Sequence, residues 1–95
     1  MPERPLRVEV ARPAQTQLAK LPPDLRLKIL HELQTLGEDP FPGPPRSKRL
    51  VGFKVPTFRL RIGDYRAVYR IIEDVIVILA IVARKDLDRI IRGLR

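Results

Sequence analysis

Four arginines, Arg59, Arg61, Arg66 and Arg70, sit in the stretch FRLRIGDYRAVYR. They alternate with apolar residues at the period of two that marks a β-strand. Gly63-Asp64 between the two halves is a two-residue hairpin signal. Pairing Ile62 with Tyr65 across that bend sets Arg61 opposite Arg66, Leu60 opposite Ala67, Arg59 opposite Val68 and Phe58 opposite Tyr69. One face then carries Phe58, Leu60, Ile62, Tyr65, Ala67, Tyr69 and Ile71, and the other carries the arginines around Val68. Cross-strand Cβ atoms are only about 5 Å apart, so like charges there are destabilising unless an anion neutralises them. Asp64, Glu73 and Asp74 belong to turns, and none holds a strand position that would do so. Two readings fit such a patch: a solvated face with screened charges, and a binding face. If it binds, the planar five-donor fork of arginine points to phosphate.

Other residues that could do chemistry are fewer. Lys48, Arg49 and Lys54 follow a proline-rich run and suit either RNA contact or plain solvation. Arg84 and Lys85 follow the last apolar strand, ahead of Asp86 and Asp88. His31 falls on the polar side of a helix, away from the arginines, as a surface histidine does. Tyr65 and Tyr69 alternate inward with Phe58 and read as core. Leu27 leaves its helix's apolar stripe, either as an isolated surface leucine or as part of a partner's groove. With no cysteine and one histidine, a disulfide framework, a thiolate metal site and a zinc centre are all excluded.

The charge distribution points the same way. Of the 95 residues, 1–45 hold six basic and six acidic side chains, whereas 46–95 hold thirteen basic and five acidic, so the whole excess of +8 is C-terminal. Nucleic acid is therefore the leading class of partner and an acidic protein surface the second. No apolar run reaches the roughly 18 residues of a membrane span, and MPERPLRVEV lacks the apolar stretch of a signal peptide, so the expected address is the cytoplasm with no membrane partner.

The elements that must position the arginines follow from periodicity. LRVEV, residues 6–10, alternates like a strand. Pro13 suits a helix's first turn, and Ala14, Leu18 and Leu21 share one face. Pro22-Pro23 ends that helix and opens another, with Asp24 at its positive end, a stripe of Leu25, Ile29, Leu33 and Leu36, and Gly37 as its stop. EDPFPGPPRSK, residues 38–48, carries four prolines and predicts an irregular, stiff connection. After the hairpin, a turn at Glu73-Asp74 leads to VIVILAIV, residues 75–82, an unbroken apolar run expected to be a central strand. Leu87, Ile90, Ile91 and Leu94 then mark a final helix. The expected fold is α+β in the order β-α-α-β-β-β-α: an antiparallel sheet of about four strands, an N-terminal helical hairpin and a C-terminal helix, with helices on one side, as one domain over 1–95.

The stretch KRLVGFKVPTFRLRIGDYRAVYRIIEDVIVILAIVARKDL resembles the RelE/ParE superfamily of bacterial and archaeal toxins, whose pattern runs "yRlRvGdYRvvY", then an apolar strand and a terminal basic motif. Upstream, VEVARPAQTQLAKLPPDLRLKILHELQTL resembles the family's first strand and helical hairpin, so the likeness spans nearly the whole chain. The resemblance implies a toxin of a type II toxin–antitoxin pair. In the RelE branch this is a metal-independent, ribosome-dependent messenger RNA endonuclease, needing no cofactor and held by a cognate antitoxin. By position it matches Arg59, Arg61, Arg66 and Arg84 to catalytic positions, with Lys85 the other choice for the last; Lys48, Arg49, Lys54, Arg70 and Lys85 are the further basic residues expected to bind RNA. Many relatives end in a pattern like "HRkdvY", where the histidine or tyrosine could move protons; here Ala83 and Asp88 stand there, so that either Asp88 serves as acid/base, or the ribosome contributes, or activity is low. Arginine is a poor proton acceptor, so two alternatives stay open. One is a ParE-like DNA gyrase inhibitor without nuclease activity, the other a catalytically inactive RNA-binding homologue.

Overall fold

The computed structural model describes residues 5–95. Strand β1 (Arg7–Val10) leads into α1 (Arg12–Ala19) and α2 (Pro23–Glu38), followed by β2 (Ser47–Arg49), β3 (Thr57–Ile62), β4 (Tyr65–Ile72) and β5 (Val75–Ala83). A 3-10 turn, Arg84–Asp86, runs into α3 (Leu87–Leu94). The α+β class and the succession of elements are those expected, with one strand added. The five strands form a single sheet ordered β1-β5-β4-β3-β2.

Register follows the hairpin. Gly63 takes a φ of 56°, which is unfavourable for a side chain and natural for glycine. The observed pairs are Ile62 with Tyr65, Arg61 with Arg66, Leu60 with Ala67, Arg59 with Val68 and Phe58 with Tyr69. All match the pairing that the two-residue bend dictates.

Three features depart from the expectation. The sheet is mixed, because β1 runs parallel to β5, pairing Arg7 with Val75 through Val10 with Ile78. A parallel pair needs a long crossover, which everything between the two strands supplies. Second, the proline run does not extend irregular structure to Lys48. The prolines end at Pro45, so Ser47, Lys48 and Arg49 keep their N–H groups and pair with Leu60, Arg59 and Phe58 on the open edge of β3. Third, helices cover both faces. Leu60, Ile62, Ala67, Tyr69, Ile76, Ile78 and Ile81 pack with Ala14, Leu18, Ile29, Leu33 and Leu36 from α1 and α2. On the opposite face Val68, Ala80 and Val82 lie beneath Leu87, Ile90 and Leu94 of α3, with Leu50 and Leu79 alongside.

A bulge makes this two-sided burial possible. Val68 pairs with Ala80 but Tyr69 with Ile78, so Leu79 is the extra residue. The insertion shifts the phase of β5, putting Ile76, Ile78 and Ile81 on one side and Ala80 and Val82 on the other. Beyond Val10 the β5 edge has no strand partner among the described residues, and the Gln17 side chain of α1 accepts the Ile81 N–H at 2.7 Å.

Gly37 does not stop α2. It lies within the helix, buried, and its carbonyl accepts the Leu6 N–H at 2.8 Å. A Cβ there would stand 2.7 Å from the Leu6 carbonyl oxygen. Alanine normally favours a helix interior over glycine by about 1 kcal/mol, but a clash against rigid backbone outweighs that gain. Gly37→Ala is therefore expected to destabilise the chain by about 1–3 kcal/mol, read as a lowered thermal midpoint. A midpoint equal to or above that of the native chain would contradict this packing.

Candidate functional site

The hairpin and the end of β5 assemble the basic cluster. Arg61 and Arg66 face each other across β3 and β4, and Lys48 faces Arg59 on the next rung toward β2. Val82 lies beside Arg66 and Ala83 beside Tyr65, so the chain leaves the sheet at the hairpin turn. There the Arg84 N–H donates to the Asp64 carbonyl at 2.8 Å. That bond ties the turn after β5 to the bend before β4 and brings Arg84 to the arginine pair.

The four arginines differ in freedom. Arg66 is only 7% exposed, and its guanidinium donates to the carbonyls of Gly63 at 2.9 Å and Tyr65 at 2.8 Å. Burial pushes its pKa below the ordinary guanidinium value, and Arg59, Arg61 and Arg84 push it the same way while Asp64 opposes them. The three cations are thus close enough to act electrostatically on the fourth. Arg59 is half-buried, donating to the Pro45 carbonyl at 2.9 Å and the Arg46 carbonyl at 3.3 Å. Arg61 and Arg84 are exposed, and neither side chain makes an intramolecular hydrogen bond among the described residues. No ion pair among the described residues involves any of the four: those present join Arg7 to Glu9, Arg46 to Glu32 and Arg89 to Asp86.

An open cleft of about 420 Å3 adjoins the cluster, lined by Asp64, Ala83, Arg84, Lys85 and Asp88. Arg84, Lys85 and Asp88 are thereby brought together. Asp88 is exposed at the start of α3 and is a carboxylate able to accept a proton beside the cations. The arrangement offers two fixed guanidiniums, two free ones and a carboxylate at one edge. Such a site can hold a phosphodiester and stabilise added charge on it.

Not every basic candidate joins this cluster. Arg49 pairs with Phe58 and therefore projects from the opposite face of the sheet. Lys54 and Arg70 line a second cleft at the far end of β4, with Phe53, Leu94 and Arg95. His31 is exposed on α2, and Tyr69 is fully buried with its hydroxyl donating to the Pro40 carbonyl at 3.0 Å. Burial pushes the Tyr69 phenol above its ordinary value. Sequence reasoning missed Arg46, which bonds Glu32 and Thr35 of α2 at 2.8 Å each. No periodic signal links residues so far apart, since the contact depends on where the proline run folds back.

Comparison with known proteins places these features. The family profile described as the ParE toxin of type II toxin-antitoxin system matches residues 8–87. No curated protein sequence matches. Among solved structures, the toxin–antitoxin complex RelBE2 from Mycobacterium tuberculosis is similar with 30% identity and a TM-score of 0.72, over 84% of this chain and 99% of that one. The archaeal RelE–RelB complex from Pyrococcus horikoshii is similar with 28% identity and a TM-score of 0.71, over 83% and 94%. The RelB–RelE complex from Methanococcus jannaschii shares the fold at 18% identity and a TM-score of 0.68, over 86% and 96%.

The carbonyl contacts of Arg59 make it a brace between the sheet face and the proline run. Arg59→Ala is expected to speed amide hydrogen exchange at Arg61, whose N–H donates to the Arg46 carbonyl at 2.7 Å, and at Ser47. The increase should be about fivefold or more, the equivalent of about 1 kcal/mol of hydrogen bonding. Val68 and Ala80 should keep their protection. Unchanged exchange at Arg61 and Ser47 would show that Arg59 holds nothing in place.

Proposed function

The chain belongs to the RelE/ParE superfamily as a toxin of a type II toxin–antitoxin system, and on that footing we propose that it is a metal-independent endonuclease of messenger RNA on the ribosome. The observation that supports this most is the gathering of Arg59, Arg61 and Arg84 around the Arg66 guanidinium with no carboxylate paired to any of them among the described residues. In this reading the ribose 2′-hydroxyl attacks the adjacent phosphorus. The O2′–P bond forms and the P–O5′ bond breaks, giving a 2′,3′-cyclic phosphate and a 5′-hydroxyl. Asp88 takes the 2′ proton, water returns one to the leaving oxygen, and Arg61, Arg66 and Arg84 stabilise the charge on the phosphorus centre. Lys85 at the cleft and Lys48 on the Arg59 rung hold neighbouring phosphates, and the ribosome presents the message in an unstacked form.

The similar structure from Mycobacterium tuberculosis is a toxin–antitoxin complex, and that from Pyrococcus horikoshii is a RelE–RelB complex. We extend this to a cognate antitoxin whose acidic or amphipathic segment folds across the basic face. Toxin and target would meet in the cytoplasm. Among the described residues no helix is long and apolar enough to cross a membrane.

A second reading is DNA gyrase inhibition without cleavage. It is favoured by Ala83 and Asp88 where many relatives carry histidine and tyrosine, and by the ParE description of the matched profile. A cell-free translation reaction separates the two: cut ribosome-bound message supports the first, while intact message with blocked supercoiling supports the second. No effect in either assay would leave an inactive RNA-binding homologue.

Arg61 is the cleaner probe of the catalytic cluster, because Arg66 is buried rather than outward and its removal would also unbond the hairpin turn. Arg61→Ala is expected to lower message cleavage at least tenfold, about 1.4 kcal/mol of barrier, in a chain that still melts cooperatively and, at low salt, at a higher midpoint. Asp88→Asn should lower the rate of chemistry with little change in RNA affinity. Near-normal cleavage by the Arg61 variant would overturn the site assignment.

A further inference from the structure

The far end of the arginine face carries a second basic cleft, of about 380 Å3, lined by Gly52, Phe53, Lys54, Val55, Arg70, Leu94 and Arg95. Three of these residues are cationic, none is acidic, and none of the three takes part in an ion pair among the described residues. The guanidiniums are held in place. Arg70 and Arg95 lie 5.7 and 5.9 Å from the centre of the Phe53 ring, within range of cation–π attraction. Arg70 Nε donates to the Thr57 hydroxyl at 2.9 Å, and a terminal nitrogen of Arg95 donates to the Val51 carbonyl at 3.1 Å. Both acceptors are neutral, so each guanidinium keeps its full charge and its remaining donors. The backbone also makes room for this arrangement, because Gly52 has a φ of 87° and a Cβ there would stand 3.0 Å from Arg95 Nε.

This cleft is separate from the Arg61–Arg84 cluster. Arg66 and Arg70 are four residues apart on β4, about 13 Å at the usual strand rise. Between them Val68 is fully buried beneath α3, with Leu50 beside it. The start of α3 borders the first cleft through Asp88, and its end borders the second through Leu94. Two like-charged guanidiniums set around one ring, with an ammonium beside them, form an arrangement that an anion stabilises.

We propose that Lys54, Arg70 and Arg95, ordered around Phe53, form a second phosphate-binding site that takes a backbone phosphate of RNA away from the cutting cluster. That the phosphate comes from RNA rests on the function proposed above; that the cleft binds phosphate does not.

The test is an NMR titration of the full chain with inorganic phosphate, and separately with a single-stranded oligoribonucleotide long enough to reach both clefts. Both ligands are expected to move the Arg70 and Arg95 side-chain signals and the amides of Gly52 to Val55, saturably. Arg70→Ala and Lys54→Ala should each weaken oligoribonucleotide binding about threefold or more. Each should also lessen the slope of log affinity against log salt by about 0.7, the share of one phosphate contact on a single strand. Lys54 is exposed and makes no hydrogen bond or ion pair among the described residues, so its variant reports binding without a folding effect. Phosphate that leaves the Phe53 region unmoved, or variants that bind RNA with native affinity and slope, would overturn the proposal. Failure of the nuclease reading looks different: message stays intact while phosphate still saturates this cleft.

Discussion

Mutual repulsion among cations held in strand register is the constraint around which this chain is organised. The hairpin bend sets Arg61 against Arg66, and the Asp64 carbonyl draws Arg84 to the same place. None of these groups gains a carboxylate among the described residues. The stabilising free energy comes from elsewhere, chiefly the apolar layer that α1 and α2 bury against the other face of the sheet. The second layer under α3 stiffens the strands that carry the charges.

Within that constraint the arginines divide their work. Arg66 gives up water and donates to neutral carbonyls instead, so its orientation is settled before any ligand arrives. Arg59 is held by the carbonyls of Pro45 and Arg46, which links the arginine face of the sheet to a loop anchored on the far side by Tyr69 and by Arg46 with Glu32. Arg61 and Arg84 remain exposed and able to meet a ligand. With two of the four side chains already held, an anion that bound here would cost the rotamer freedom of the other two alone.

Much of this was legible in the sequence, and the reasons are local. Alternation and the Gly63-Asp64 bend dictate the register of β3 and β4 to the residue, because a slip of one would exchange the arginines with Leu60 and Ile62. Helix stripes such as Leu25, Ile29 and Leu33 are equally local. What stayed hidden depends on distant partners. β2 forms by pairing with the outer edge of β3, a partner further along the chain, and three residues of mixed polarity carry no period. The side on which α3 packs follows from a bulge at Leu79 that shifts β5 by one residue, which an unbroken apolar run conceals. Gly37 reads as a helix stop by type alone, whereas its reason is the Leu6 carbonyl pressed against it. The Phe53 cleft joins residues from three segments, and neither Phe53 nor Arg95 sits in a recognisable pattern.

Repulsion stored in the sheet can be read from the melting temperature of an Arg61→Gln variant at low and high salt. Removing one exposed cation from the register should raise the midpoint at low ionic strength, and the gain should shrink as salt screens the remaining charges. A midpoint that is unchanged or lowered at low salt would mean that the arginines do not strain the sheet and that no repulsion is stored there.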